Sequence, residues 1–307
     1  MYALEKIKRM IGKYRFDQSV KKYFNSPSLQ LDQTSELTIV SMLNTQSVAM
    51  YLAAVKSFLH FIGNAKVDII NDGSLTDDDI KILKTHLVGV NILNIKEIDT
   101  HGCPTGGTWE RLVHIINRSK DSYVIQIDSD TLTLGPIPEI KSAIENQTAF
   151  TIGGPEFPTP VDTKYLAVIA KGRNNQHVQT LSESSFADMQ SMQGVLYCRG
   201  CSAFAGFPKG AQNLDKLKAF SDEMISKIGI DKWNEWGSEQ VSSNVIISMS
   251  TQPQILPWPK YQNFMFPEAY RPDSNAAFIH FIGTHRYKKG TYKKVALQNL
   301  SVVGKNL

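Results

Sequence analysis

Two carboxylates spaced two residues apart close the apolar run Tyr123-Val-Ile-Gln-Ile, giving Asp128-Ser129-Asp130. In an extended chain that spacing puts both side chains on one face. Paired carboxylates at a strand's end repel each other and are costly to desolvate unless a cation neutralises them. A hard divalent ion such as Mg²⁺ or Mn²⁺ takes oxygen ligands and bridges to phosphates, so the pair suits holding a nucleotide diphosphate better than acid/base work. The alternative is a turn whose aspartates only cap segment 132–137. A second short apolar run, 67–70, ends in Asn71-Asp72-Gly73-Ser74. An Asp there can accept hydrogen bonds from a base or ribose, or serve as a turn or capping residue. Open α/β sheets bind ligands at the carboxyl ends of their strands, where both motifs fall.

The elements that must position these residues alternate between short β-rich runs and helical periodicity, which predicts βαβ units around a mostly parallel sheet. Segment 37–43 reads as the first strand. Val48, Leu52, Val55, Leu59 and Ile62 then recur at helical intervals. Further strands are expected at 67–70, 91–95, 123–127, 149–152 and 195–197. Helices are expected from Thr76, whose following Asp77, Asp78 and Asp79 suit capping and the helix dipole, and at 109–117 and 215–228. Segment 157–192 carries little periodicity and reads as loops over a site. Met192-Gln193-Gly194 and Phe204-Ala205-Gly206-Phe207 read as glycine-containing acceptor or sugar loops. Trp233, Trp236 and Glu239 form an aromatic and acidic neighbourhood suited to sugar contacts, at least one tryptophan being expected in the core.

On these residues the sequence resembles the GT-A glycosyltransferases, whose early strand often ends in a similar Asn-Asp-Gly-Ser and whose central strand ends in Asp-x-Asp. Segment 111–140 looks like the corresponding core. Ser238-Glu239-Gln240-Val-Ser-Ser-Asn244 is similar to the Asp-Gln…Asn element of family 8, and Ile279-His280-Phe281-Ile282-Gly283 to its His-Phe-x-Gly element. The resemblance implies an α/β GT-A (Rossmann-like) fold, with a mixed, mostly parallel sheet flanked by helices in one main domain. It implies a divalent cation, Mn²⁺ or Mg²⁺, held by Asp128, Asp130 and His280, with His285 in reserve. It further implies Asp72, Asn44, Thr45, Arg111, Asp128, Ser129 and Gln240 as donor contacts, and Glu239 and Arg286 as catalytic candidates. Arg286 stands where the family has a diphosphate-binding Lys, and Tyr287-Lys288 replaces its Pro-Trp. The implied reaction moves a sugar from a nucleotide-diphosphate sugar, a UDP-sugar first, to a hydroxyl of a glycan, lipid-linked or protein acceptor. Glu239 would be the base for inversion, or would lie under the donor sugar for retention.

Rival classes remain. A nucleotidyltransferase also uses paired aspartates but needs a glycine-rich basic loop near its first strand, which Leu43-Asn44-Thr45-Gln46 is not. A non-catalytic carbohydrate-binding module explains the aromatics but leaves Asp128 and Asp130 without a purpose.

The 307 residues are 42% hydrophobic and 20% charged, which excludes a disordered or collagenous chain. Thirty-three basic against twenty-nine acidic residues give +4, too mild to imply nucleic acid. Cys103, Cys198 and Cys201 are too few for a disulfide framework, and the Cys198/Cys201 pair lacks zinc-spaced partners, so ordinary thiols in a reducing compartment are expected. No apolar run precedes a small-residue cleavage site, and Lys56 and His60 interrupt the greasiest stretch. A cytoplasmic protein is expected. Residues 1–34 form a basic amphipathic helical segment: Lys6, Lys8, Arg9, Lys13, Arg15, Lys21 and Lys22 outnumber Glu5 and Asp17, with Leu4, Ile7, Ile11 and Tyr14 at helical spacing. Residues 1–25 could meet an anionic membrane at its inner face or a phosphorylated acceptor, or pack as a solvated helix on the main domain. Residues 35–154 are expected to form the nucleotide-binding half. Residues 155–307 are expected to form the acceptor half and a tail whose Arg286, Lys288, Lys289, Lys293 and Lys294 are either a solvated face or leaving-group contacts.

Overall fold

The computed structural model describes residues 2–210, 214–264 and 275–303; the side chains of 2–6, 8, 9, 288, 289, 302 and 303 lie outside the description, so the expectations on Leu4, Glu5, Lys6, Lys8, Arg9, Lys288 and Lys289 do too. The mostly apolar run β2 (Leu37–Leu43) lies inside a seven-stranded sheet, and six of its seven residues are buried. Parallel to it run β3 (Lys66–Asn71) and β6 (Tyr123–Ile127) on either side, with β5 (Asn91–Asn94) beyond β3. Next to β6 lie β11 (Cys201–Phe207), then β8 (Phe150–Ile152) and β12 (Gln254–Leu256). Only β11 runs against the others, so the sheet is mixed and mostly parallel as expected. From β2 the chain goes to β3 on one side and later to β6 on the other. That reversal opens a crevice at the carboxyl ends of β2 and β6.

The helices follow the sequence pattern. α2 (Val48–Ile62) is buried along twelve of its residues, and α3 (Asp77–His86) starts on the capping box that Thr76 makes with Asp79. α4 (Trp109–Arg118) lays Leu112, Val113, Ile115 and Ile116 on the sheet. Beyond α5 (Pro138–Glu145), segment 157–192 departs from expectation: instead of loops it carries α6 (Thr163–Gly172) and α7 (Val178–Ser185). Asp162 caps α6 by accepting from the Lys164 and Tyr165 amides, and Leu166, Ala167, Ala170 and Val178 are buried. The chain continues through α8 (Leu214–Ile228), α9 (Ile230–Trp233), α10 (Ser238–Ser248) and α11 (Thr291–Val303).

Phe204-Ala205-Gly206-Phe207 is also corrected. It is the buried core of β11 rather than an acceptor loop, and its glycine is there because a Cβ on Gly206 would meet the Phe150 ring at 2.2 Å. Two pairs of short strands flank the sheet: β1 (Leu29–Gln30) with β4 (Leu87–Val88), and β9 (Val161–Asp162) with β10 (Leu196–Tyr197). A three-stranded sheet joins β7 (Thr131–Thr133), β14 (Phe278–Phe281) and β13 (Tyr261–Phe264). α1 (Tyr2–Val20) packs on α11 and on the turn 283–290, with Phe16 wedged against the Tyr287 and Tyr292 rings at 5.1 and 4.6 Å. No described helix is long and apolar enough to cross a membrane.

Candidate metal and donor site

β6 ends at Ile127, and the chain turns through Asp128, Ser129 and Asp130 before β7; the Thr131 hydroxyl donates to the Asp128 carbonyl at 2.9 Å and closes the turn. The two carboxylates therefore share the cleft by way of this turn, not by the extended-strand geometry expected from their spacing. β7 then pairs antiparallel with β14, setting His280 opposite Thr131, while the Phe281 amide donates to the Asp130 carbonyl. That register carries the His280 imidazole to Asp130, with Nε2 3.5 Å from Oδ1. Ligand atoms of Asp128, Asp130 and His280 all lie within 4.8 Å of one another, the one such grouping among the described residues. Cys198 and Cys201 are not members of that grouping, but Cys201 Sγ lies 3.7 Å from His280 Nδ1.

The imidazole is held by a residue that the sequence did not single out. β13 runs parallel to β14 and sets Asn263 beside His280, with Oδ1 2.8 Å from Nδ1. The Asn263 amide nitrogen donates to the Gly153 carbonyl, so Oδ1 faces the ring and Nδ1 must carry the hydrogen. Nε2 is thereby left to face the carboxylates. Nothing in the sequence pointed to Asn263, because strand pairing supplies the contact.

The charges in the cluster nearly cancel. Arg286 pairs with Asp130 Oδ2 at 3.1 Å, and the buried Arg111 lies between Asp128 Oδ1 at 2.5 Å and Glu239 Oε1 at 3.4 Å. Three carboxylates against two guanidinium groups leave one negative charge when His280 is neutral. A divalent cation would turn that excess positive, the sign a diphosphate requires. Burial pushes Asp130 up, but His280 and then Arg286 outweigh it and hold the carboxyl below its usual range. Burial pushes His280 down, and Asp130 outweighs that, raising the ring well above its ordinary value. The carboxylate that draws a proton to Nε2 is equally placed to draw a metal ion there. One oxygen on each aspartate is turned away from its arginine, and with Nε2 this donor set fits Mn²⁺ or Mg²⁺.

Around the cluster lies a cleft of about 490 Å³, lined among others by Asn44, Asp72, Asp128, Ser129, Asp130 and Trp236. That volume falls in the range of small-molecule sites. Asn44 follows β2 and Asp72 follows β3, so three strand ends converge here. The Asp72 Oδ1 accepts from the Ser74 amide and hydroxyl, an Asx turn that Gly73 completes at φ +98°. Thr45 is turned to Asp79, its hydroxyl donating at 2.7 Å, and Gln240 is turned to Gln179; neither side chain lines the cleft.

Glu239 sits at the start of α10, 3% exposed, where it accepts from Arg111 and from the Ser202 hydroxyl. Burial raises its carboxyl, more than Arg111 lowers it. It forms the wall behind Arg111 rather than the cleft lining. Trp233 is buried, with Nε1–H donating to Ser221 Oγ, whereas Trp236 is 75% exposed at the cleft.

No family model and no curated protein sequence matches the chain. Among solved structures it is similar to the galactosyltransferase LgtC in complex with donor and acceptor sugar analogues. The TM-score is 0.52 at 11% identity, over 86% of this chain and 95% of that one. An active-site variant of LgtC gives 0.51 at 10% identity over the same shares. At such identity the likeness is one of fold. The chain has the GT-A glycosyltransferase architecture, a mixed and mostly parallel sheet flanked by helices.

Proposed function

We propose that the protein is a metal-dependent glycosyltransferase that uses a nucleotide-diphosphate sugar, a UDP-sugar first. The observation that carries this reading is the convergence of Asp128, Asp130 and His280 at the carboxyl end of β6, in the crevice where a GT-A sheet reverses its strand order. Bound there, Mn²⁺ or Mg²⁺ would supply Lewis-acid neutralisation of the departing diphosphate. Asp128 and Asp130 would hold the ion, and Asn263 fixes His280 in the tautomer that could join them. Arg286, beside Asp130, offers charge to the diphosphate, and Asp72 with Asn44 receives the nucleoside at the ends of β3 and β2.

In the transfer an acceptor oxygen forms a bond to the anomeric carbon. The bond from that carbon to the diphosphate oxygen breaks, its electron pair leaves with the nucleotide, and the proton of the acceptor hydroxyl goes to the departing diphosphate. Glu239, buried behind Arg111, acts as a positioning residue: it holds the guanidinium that fixes Asp128. We place the protein at the cytoplasmic face of a membrane through α1, on which Ile7, Met10, Ile11 and Tyr14 are exposed beside basic residues. The two rival classes, a nucleotidyltransferase and a sugar-binding module, are separated by product analysis. Incubation with a panel of UDP- and GDP-sugars should release the nucleoside diphosphate only when Mn²⁺ or Mg²⁺ is present. Pyrophosphate release from a nucleoside triphosphate, or binding of free sugar without any nucleotide release, would overturn the proposal.

A further inference from the structure

A second cavity, of about 620 Å³, lies against the first and shares Phe16, Arg286 and Tyr287 with it. Its lining carries the cations Arg15, Arg286 and Lys293 and no carboxylate. Arg286 is already paired with Asp130, but among the described residues neither Arg15 nor Lys293 has an acidic partner. Unpaired cations around a concave space favour an anion, and guanidinium groups suit phosphate oxygens in particular.

The surface of α1 that adjoins this cavity at Ile11 has a different character. Ile7, Met10, Ile11 and Tyr14 follow one another on α1 at the spacing of a single helical face, and they are 53, 62, 47 and 65% exposed. Ile11 belongs both to that stripe and to the cavity lining. The helix is held close there, because Gly12 lies so near Tyr287 that a Cβ would come within 2.9 Å of the Tyr287 carbonyl oxygen. An apolar strip thus leads to a basic cavity, which opens beside the aspartates.

We infer that this cavity is the acceptor subsite and that it takes a lipid-linked phosphate: an anionic phosphate seated between Arg15 and Lys293, with its apolar chain lying along Ile7, Met10, Ile11 and Tyr14. The inference rests on the glycosyltransferase reading for the word acceptor, but the binding site itself does not depend on it. An amphiphile held in this way presents its polar end to the cleft that holds Asp128 and Asp130.

Dodecyl phosphate, below its micelle concentration, is the probe, and calorimetry the measurement. The intact protein should bind it at least tenfold more tightly than dodecyl maltoside, which lacks the charge, or inorganic phosphate, which lacks the chain. Replacing both cations, Arg15→Gln with Lys293→Gln, should weaken dodecyl phosphate by about tenfold or more, as expected when charge-assisted hydrogen bonds are lost. The pair Ile7→Ser and Ile11→Ser should narrow the advantage of dodecyl over hexyl phosphate by about fivefold or more, and an unchanged ratio would overturn the path of the chain. Saturating UDP with Mn²⁺ should not compete.

Equal affinity for dodecyl maltoside would overturn the phosphate assignment, and equal affinity for inorganic phosphate the lipid assignment. Competition by UDP would move the phosphate into the donor cleft and overturn the separate subsite. Unchanged binding in the Arg15 and Lys293 double variant would overturn the seat. Failure of UDP to bind with Mn²⁺ at all would strike the glycosyltransferase reading alone, since the dodecyl phosphate titrations are read without nucleotide.

Discussion

The Arg111 guanidinium is shared between Asp128 in the cleft and Glu239 behind it, so its removal has two separable consequences. Arg111→Ala leaves Glu239 buried without an ionic partner, and urea unfolding should show a loss of about 3–5 kcal/mol. Adding Glu239→Ala removes the stranded charge. The double variant should then be destabilised less than the two single changes together, and additive losses would show that the pair is not coupled. Asn263 acts on the other side of the cluster. Asn263→Leu frees the His280 ring while leaving Asp128, Asp130 and His280 themselves in place, and Mn²⁺ affinity followed by electron paramagnetic resonance should fall by about ten- to a hundredfold. Unchanged affinity would mean that His280 is not a ligand. The aspartates and His280 were legible in the sequence because motif and order announce them. Asn263 was not, since it meets His280 only through the parallel pairing of β13 with β14.

At the scale of elements, the parallel strands and helices were legible where periodicity was strong, as in β2, α2 and α4. The strand β11 was not. Its run Ala203-Phe204-Ala205-Gly206 is small and apolar without alternation, which reads as readily as a loop. Its identity comes from its neighbours, β6 and β8, and from the Phe150 and Tyr123 side chains that fill the space a Gly206 side chain would need. Gly206→Ala should therefore overpack the sheet and cost about 1–3 kcal/mol in chemical denaturation. A neutral result would show that the sheet relaxes there.

The charge on α2 has its own signature. Lys56 interrupts an apolar helix yet is fully buried, donating to Ser26 Oγ at 2.7 Å and to the Pro27 carbonyl, with His86 Nδ1 at 3.0 Å. Burial lowers its amine from 10.5 to about 8. Between those two values the unfolded chain binds the extra proton, so stability rises with pH across that window and the gain is complete near the upper end. Compared with Lys56→Met, the protein should gain on the order of 2 kcal/mol in unfolding free energy between pH 8 and pH 10. Parallel curves for the two proteins would contradict the buried charge.

For the whole molecule, the sheet brings strand ends from distant parts of the sequence to one crevice, and α1 supplies a wall that composition alone could not place. The sequence marked α1 as basic and amphipathic, but its two uses differ by position. Phe16 and Val20 are buried against the domain, while Ile7, Met10, Ile11 and Tyr14 face outward. Lys13, Phe16 and Asp17 line the cleft that holds Asp128 and Asp130, so the helix is part of its wall. Phe16→Ala should loosen it: limited proteolysis should cut within residues 2–20 faster than in the unaltered protein, and an unchanged rate would show that other contacts hold α1.

On the proposed function, a metal ion at Asp128, Asp130 and His280 would join a nucleotide diphosphate to this fold. Titration calorimetry of UDP against the protein, with and without Mn²⁺, and against Asp130→Asn, tests it in one experiment. UDP should bind with Mn²⁺, bind at least tenfold more weakly without it, and lose the metal-dependent part in Asp130→Asn. Equal UDP affinity with and without Mn²⁺, or an Asp130→Asn variant that keeps the full metal effect, would contradict it.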